Sequence, residues 1–194
     1  MKSFSSFFEQ LLKAHRSEEK RREALLHLSR DLLRLSKEAI FAYHRKEIKE
    51  GDHGVKEVEG KIRKVLRSTD RELALSEGTF HVAMEEMVEA RFLAAMLMDR
   101  PWELPEELLP FTEEILGGLS DATGEYVRTA LASATARGRA SLPEIERMKM
   151  VTSAVVEGLM KFHLTGKLRS KQDEAKRNLR RLEEMAYELT LHAR

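Results

Sequence analysis

Two glutamates, Glu86 and Glu89, are the residues of this sequence best suited to do chemistry. They lie three positions apart, so on a helix they share one face. The segment that follows, 92–98, is apolar on every side, which predicts a helix that is packed all round. Two carboxylates at the mouth of such a helix repel each other and lose hydration unless a metal ion, an arginine or a solvent channel compensates them.

A second acidic pair, Asp121 and Glu125, lies four positions apart and also shares one helical face. Small residues surround it, namely Gly117, Gly118, Ala122 and Gly124. Glycine inside a helix costs about 1 kcal/mol relative to alanine. These glycines therefore indicate close helix packing or a site, and a frayed, exposed turn is the alternative.

The four carboxylates together are an all-oxygen set, which favours Mg²⁺ or Mn²⁺ over zinc or copper. Magnesium held by a few carboxylates keeps several waters, which suits hydrolysis of a phosphodiester or phosphoanhydride. The alternative for Glu86 and Glu89 is a solvated face with salt bridges to Arg91 or to a neighbouring helix. His81 lies before Glu86 and either lines the same cavity or is a structural, hydrogen-bonded residue. No glycine-rich phosphate loop or Gly-x-Ser-x-Gly elbow is present.

The composition narrows the class of protein. A chain of 194 residues predicts one domain, 1–194, with a sizeable core. The lack of cysteine excludes disulfides and thiolate ligands. A net charge of +1 limits any nucleic-acid surface to a local patch. We find no signal-peptide core and no apolar run of membrane-spanning length, so a cytoplasmic location without a membrane partner is expected.

Positively charged residues form stripes that are either solvated faces or phosphate-binding surfaces. The candidates for nucleic-acid binding are Lys64, Arg67 and Arg71 on the second predicted helix, together with His81. Two further clusters are Arg16, Lys20, Arg21 and Arg22, and Lys176, Arg177, Arg180 and Arg181. Most of the twelve aromatic residues lie on apolar stripes, so base-stacking surfaces find little support in the sequence.

The elements that carry these residues are all predicted to be helices, which makes the fold class all-α with six to seven helices. Apolar periodicity and four prolines place the helices at about 4–50, 55–71, 76–99, 106–136, 142–162 and 170–192, with breaks possible at 16–17 and 117–118. Segment 51–54 is predicted to be a loop. An apolar face on the first turns predicts core or a subunit interface, and comprises Phe4, Phe7, Phe8, Leu11 and Leu12.

Taken in order, several segments resemble the translin family, which includes translin and its partner Trax. Residues 86–90, Glu-Met-Val-Glu-Ala, are similar to Glu-Tyr-Val-Glu-Ala of Trax, and residues 121–125, with Arg128 after them, are similar to its Asp-Leu-Thr-Gly-Glu segment. The remaining similar segments are 28–31, 36–41, 44–45, 116–117, 156–159 and 182–189. The chain departs from Trax at Met87, where Trax has tyrosine, and in a shorter link between 99 and 110.

The resemblance is to a Trax-like, catalytic-type member and to stand-alone homologues of the archaeal style, because glutamate occupies both positions where translin has basic or apolar residues. It implies that Glu86, Glu89 and Asp121 are catalytic metal ligands and that Glu125 is a further ligand or a general base. It also implies a translin-like helical bundle that assembles into a hollow, roughly octameric barrel around RNA. A translin-like hetero-partner subunit is compatible with it.

The function that follows is a Mg²⁺-dependent (or Mn²⁺-dependent) endoribonuclease that cuts single-stranded or partly single-stranded RNA inside a homo-oligomeric shell. Three alternatives stay open. The first is a non-catalytic, translin-like oligomer that binds single-stranded RNA or DNA. The second is an all-α nucleotide pyrophosphohydrolase, although its usual Glu-x-x-Asp is here Asp-x-x-x-Glu. The third is a helical scaffold whose carboxylates form surface ion pairs.

Overall fold

The computed structural model describes residues 4–191, and these form helices and turns with no strand. The α-helices are α1 (Phe4–His44), α2 (Ile48–Leu66), α3 (Arg71–Ser76), α4 (Gly78–Leu97), α5 (Thr112–Arg137), α6 (Leu142–Leu159) and α7 (Gly166–Leu191). Two 3₁₀ turns, Glu106–Leu108 and Gly138–Ser141, precede α5 and α6. The all-α fold class is confirmed. The single domain over 1–194 stays a prediction.

Helix α4 lies at the centre, packed against α1 and α5. Its C-terminal part, 92–97, is apolar around the whole circumference, and eleven residues of the helix are buried. Phe80, Met84, Met87 and Leu93 are completely or almost completely enclosed. The Tyr126 hydroxyl of α5 donates a hydrogen bond of 3.1 Å to the Phe92 carbonyl oxygen, which ties the two helices together. A second, smaller apolar cluster joins α5, α6 and α7.

The first helical hairpin differs from the sequence prediction. Helix α1 is continuous through 16–17 and ends at His44, and the turn comes at 45–47, where Lys46 has a φ of 63°. The predicted loop at 51–54 is wrong, because these residues belong to α2. Gly51 is there because a Cβ at this position would collide with the Tyr43 ring. The glycines serve close helix packing rather than a turn.

The second helix is shorter than predicted. It ends at Leu66, and the Ser68 hydroxyl then donates to the Val65 carbonyl and accepts a hydrogen bond from the Asp70 amide. Such side-chain hydrogen bonds satisfy backbone groups that would otherwise bond within a helix, so they favour the end of α2 at this point. Arg71 therefore begins a separate helix, α3, and does not continue the stripe of Lys64 and Arg67. The predicted single basic stripe on one helix is wrong.

The boundaries of the later helices, α5 to α7, differ less from the sequence prediction. Helix α5 begins at Thr112 rather than at 106, and it runs without interruption through 117–118. Helix α6 has its proline at the first turn, as predicted, and α7 begins at Gly166. His192, the predicted end of the last helix, lies outside the described residues.

The beginning of α1 stands away from the bundle. Nearly every residue of 4–24 is exposed, and the first buried side chain is Leu25. The apolar side chains of this arm are exposed as well, and comprise Phe4, Phe7, Phe8, Leu11 and Leu12. They are therefore not part of the core of the chain. None of the helices in residues 4–191 is long and apolar enough to cross a membrane.

Candidate active site

The candidate site forms where α4 and α5 approach each other most closely. A Cβ on Gly118 would lie 2.5 Å from the Glu85 carbonyl oxygen and 2.7 Å from the Val88 Cβ. A Cβ on Gly117 would collide with the Glu85 carboxylate. The glycine pair thus has a packing reason, as predicted, and the alternative of a frayed, exposed turn is wrong. Because glycine has no side chain, these two residues allow α5 to bring Asp121 and Glu125 against the acidic face of α4.

The four predicted carboxylates act on one another across this contact. Burial, together with the negative charges of Glu86, Asp121 and Glu125, raises the pKa of Glu89 to about 8. Lys171 opposes the shift but does not cancel it. The tertiary structure therefore brings both acidic pairs into one electrostatic cluster.

The α4 pair has no neutralising partner. Burial raises the pKa of Glu86, and Asp121, Glu85 and Glu125 add to the effect, whereas the charge of Lys37 opposes it. Within residues 4–191, neither Glu86 nor Glu89 forms a hydrogen bond or an ion pair. The alternative, a salt bridge from this face to Arg91, is absent there as well, since Arg91 bonds to Glu59 and to the Glu103 carbonyl oxygen.

Asp121, in contrast, is paired with a lysine of α7. The Lys171 ammonium donates to the Asp121 carboxylate and lies 3.2 Å from Glu85 Oε1. Lys167 also reaches Glu85, at 2.9 Å. Burial raises the pKa of Asp121 even though Lys171 opposes it. Burial would lower the pKa of Lys171, but the bond to Asp121 outweighs it and the pKa is raised.

Glu125 is held by cationic and imidazole groups from two helices. His44 Nε2 donates to Glu125 Oε2, and the Arg128 guanidinium lies 3.6 Å from the same oxygen. Burial by itself would raise the pKa of Glu125, but His44 and Arg128 together lower it below its usual value. Glu125 is therefore ionised more readily than Glu86 and Glu89, whose pKa values are raised.

The predicted nucleic-acid residues do not lie in this cluster. His81 Nδ1 is 2.6 Å from Glu114 Oε1, its Nε2 donates to the Leu75 carbonyl oxygen at 3.0 Å, and its ring contacts Phe111. These contacts favour a structural role for His81. Arg67 pairs with Glu107, while the side chains of Lys64 and Arg71 are exposed.

Sequence reasoning missed several members of the site. Lys171 is fifty positions from Asp121, so no local spacing could indicate the pair. Glu85 gives no separate signal, because its neighbour Glu86 is the residue that completes the Glu-x-x-Glu pattern. His44 and Arg128 lie in the segments that resemble Trax, but nothing in those segments indicated a bond to Glu125.

A hard divalent cation fits this donor set by its chemistry. Within residues 4–191, no three acidic or histidine side chains stand ready to coordinate a metal. The two unpaired, half-buried carboxylates of α4 nevertheless hold their protons more tightly than usual, and once ionised they have no bonded side chain among the described residues to neutralise them, so an external cation would be favourable there. All-oxygen sets prefer Mg²⁺ or Mn²⁺. If Asp121 also binds the cation, its carboxylate must first release the Lys171 ammonium.

Comparison with solved structures identifies the fold. A crystal structure of AfC3PO superposes with a TM-score of 0.83 and 25% identity, covering 95% of this chain and 97% of that one. The complex of AfC3PO with duplex RNA superposes with a TM-score of 0.81 and 26% identity over the same shares. Apo-NeC3PO, at 19% identity and a TM-score of 0.78, covers 94% of this chain and 96% of its own, and shares the fold.

Neither a protein-family model nor a curated protein sequence matches the chain. The C3PO structures are translin-family structures, and they match this chain over nearly its whole length. The segments that resemble Trax include both acidic pairs of the cluster. The chain is therefore a translin/Trax-like protein.

Proposed function

We propose that the protein is a Mg²⁺-dependent endoribonuclease that cuts single-stranded or partly single-stranded RNA. The observation that carries the proposal is the pair Glu86 and Glu89, which is half-buried, unpaired and surrounded by further carboxylates. A structural role gives no reason to retain such a pair, whereas a cation site does. The similar protein AfC3PO has been solved in complex with duplex RNA, which supports RNA as the ligand class.

The surroundings of each residue indicate whether it would hold the metal ion, accept a proton or neutralise the RNA backbone. Glu86, Glu89 and Asp121 would hold Mg²⁺, or Mn²⁺, which supplies positive charge that polarises a scissile phosphate. Glu125, kept ionised by His44 and Arg128, would serve as a further ligand or as the base that accepts a proton from the attacking water. Lys171, once displaced from Asp121, lies within the same cluster and would neutralise the RNA backbone.

We further propose a homo-oligomeric shell with several copies of this chain, of the roughly octameric kind that the Trax resemblance implies. Five large apolar side chains of the α1 arm are exposed on one chain, which is unfavourable in water. An open apolar groove of about 600 Å³ lies on α5 and α6, lined by Leu119, Met150, Val155 and Phe162 among others. Subunit contacts would cover such surfaces, and native mass spectrometry would give the copy number. A translin-like second subunit would appear there as a heavier species.

A non-catalytic RNA-binding oligomer is the second candidate, and one observation favours it. Asp121 already has an ammonium partner in Lys171, and the described residues contain no ready metal-binding group. This candidate predicts salt-sensitive RNA binding that is indifferent to Mg²⁺ and to the α4 glutamates.

The deciding experiment is cleavage of an end-labelled single-stranded RNA with Mg²⁺ by wild type, Glu86→Ala/Glu89→Ala and Glu89→Gln. We expect internal cuts by wild type and a loss of roughly 100-fold or more in both variants, as for removal of a metal ligand. Glu114→Gln is the matched control, since Glu114 is a half-buried carboxylate of α5 bonded to His81 outside the cluster. Its cleavage should equal that of wild type.

Equal cleavage by wild type and both variants would remove the site assignment. No cleavage by any protein, with equal salt-sensitive RNA binding, would establish the binding oligomer instead. A nucleoside triphosphate incubated under the same conditions tests the pyrophosphohydrolase alternative, because only that enzyme would release pyrophosphate from it.

A further inference from the structure

One face of α1 runs along the carboxylate cluster and connects it to the surface. Lys37, Phe41 and His44 follow one another at helical spacing on this face. The charge of Lys37 acts on Glu86, and His44 bonds to Glu125. Phe41 lies between them along the helix, so its ring stands beside the cluster rather than in the core.

The ring of Phe41 is unusually exposed for a residue so close to the site. Its relative exposure is 48%, although its helical neighbours Ile40 and Tyr43 are buried at 5% and 2%. The Arg128 guanidinium lies over the ring, 5.5 Å from its centroid. The same guanidinium is 3.6 Å from Glu125 Oε2, which fixes the stack to the cluster. Arg128 is itself half exposed, so both side chains of the pair are accessible from solvent.

We propose that Phe41 and Arg128 form a stacking site for an unpaired RNA base next to the phosphate that lies at the carboxylate cluster. The inference rests on the proposed function, because it assumes that RNA reaches this cluster. Aromatic rings and guanidinium planes both stack on bases, and every base offers a π-face whatever its identity. The site would therefore select for an unstacked nucleotide rather than for a sequence.

The arrangement also accounts for a preference for unpaired RNA. A base inside a duplex is already stacked on both sides and cannot leave without a cost of unstacking. Lys37, one helical turn before Phe41, and Arg128, over the Phe41 ring, would provide positive charge for the adjoining phosphates. The ring would hold one base while the carboxylates hold the neighbouring linkage.

The test is the fluorescence of a single-stranded RNA that carries one 2-aminopurine, titrated with protein in the absence of Mg²⁺ so that no cutting is required. We expect quenching on binding to wild type and to Phe41→Trp, which keeps an aromatic face. Phe41→Leu keeps apolar area without a π-face, and it should lose the quenching and weaken binding roughly 10-fold, as for one lost base stack. Tyr187→Leu, whose ring is 65% exposed on α7, is the matched control and should behave as wild type.

Two results would overturn the stacking site: equal quenching by wild type and Phe41→Leu, or no quenching by wild type. A loss of binding in Tyr187→Leu equal to that in Phe41→Leu would also do so, because it would show a general effect of exposed aromatic rings. Failure of the nuclease proposal looks different. Wild type would then quench through Phe41 but would not cut RNA when Mg²⁺ is added.

Discussion

Two carboxylates that are shielded from water, Glu59 and Glu89, have opposite surroundings. Glu59 is 6% exposed, and it accepts hydrogen bonds from Arg91 of α4 and, at 3.2 Å, from Arg63 of its own helix α2. Glu89, on α4 itself, is half-buried, but no cation of residues 4–191 bonds to it and its pKa is raised to about 8. The more deeply buried carboxylate is paired, and the less deeply buried one is not paired within this part of the chain.

This difference separates a structural carboxylate from a candidate ligand. The protein neutralises Glu59 itself, so its burial is compensated in the folded chain. It leaves Glu89 to be neutralised by a proton or by an external cation. At Glu59, the comparison can be tested by removing its arginine partner. At Glu89, it can be tested by removing the charge of the side chain, by changing the pH, or by removing the nearby cation Lys171.

The largest effect on stability is expected for Arg91→Met, which leaves Glu59 buried with a weaker partner. Breaking a buried ion pair costs about 3–5 kcal/mol in the free energy of unfolding. For a chain of this size, this corresponds to a fall in Tm of roughly 6–20 °C. Differential scanning calorimetry would measure it.

The control for that variant is Glu59→Gln/Arg91→Met, in which both charges are gone. It should recover part of the lost Tm, because the penalty comes from the unpaired charge. If the single and double variants melt at the same temperature, Glu59 is not stabilised by the pair, and the comparison with Glu89 fails.

The next effect is a pH dependence of the metal-free protein. The folded pKa of Glu89, about 8, lies above its ordinary value, so its contribution to stability is complete at pH 4 and is lost as the pH rises through 8. We expect roughly 2 kcal/mol less stability at pH 8.5 than at pH 5 from this group after allowing for solvent screening. Glu86 and Asp121, whose pKa values are also raised, act in the same direction.

Urea unfolding in EDTA at pH 5 and pH 8.5 would measure this loss. Glu89→Gln should be more stable than wild type at pH 8.5 and should depend less on pH. Added Mg²⁺ should stabilise wild type more at the higher pH, because the ionised carboxylates bind it. A Glu89→Gln protein that loses as much stability as wild type between the two pH values would show that Glu89 ionises freely in the folded chain.

A smaller effect is expected for Lys171→Met, which removes the ammonium bonded to Asp121. This cation competes with a metal for the same carboxylate, so its loss should tighten Mg²⁺ binding by roughly 5-fold, the equivalent of about 1 kcal/mol of charge interaction. Isothermal titration calorimetry would measure the change in Kd. Lys167→Met, which removes a lysine bonded to Glu85 only, is the matched control. Weaker Mg²⁺ binding in Lys171→Met would show that the lysine supports the cation site instead of competing with it.

The smallest effect is expected for the surface pair of Arg34 and Glu38, whose guanidinium and carboxylate lie 2.8 Å apart in solvent on α1. Exposed ion pairs contribute little, because water screens them. Arg34→Ala should shift the Tm by less than about 2 °C. A large shift here would show that pairing alone, without burial, governs the stability of carboxylates in this protein.

Much of this protein follows from local sequence patterns. The 3.6-residue period and the prolines predict an all-α chain, and the apolar circumference of 92–98 predicts the buried centre of α4. The spacing of Glu86 and Glu89 places both on one face of that helix, and the glycines at 117 and 118 indicate the close approach of α5. These features depend on neighbours within two helical turns, which a sequence displays directly.

Only the tertiary structure decided which charges meet. It placed Lys171 on Asp121 and His44 on Glu125, took His81 away to Glu114, and left the Phe41 ring in solvent beneath Arg128. It also divided the predicted basic stripe at Ser68. Helical periodicity determines the face on which a residue lies, but not the helix that packs against that face. The partners of a buried charge depend on how distant helices cross, and no spacing along the chain records that crossing.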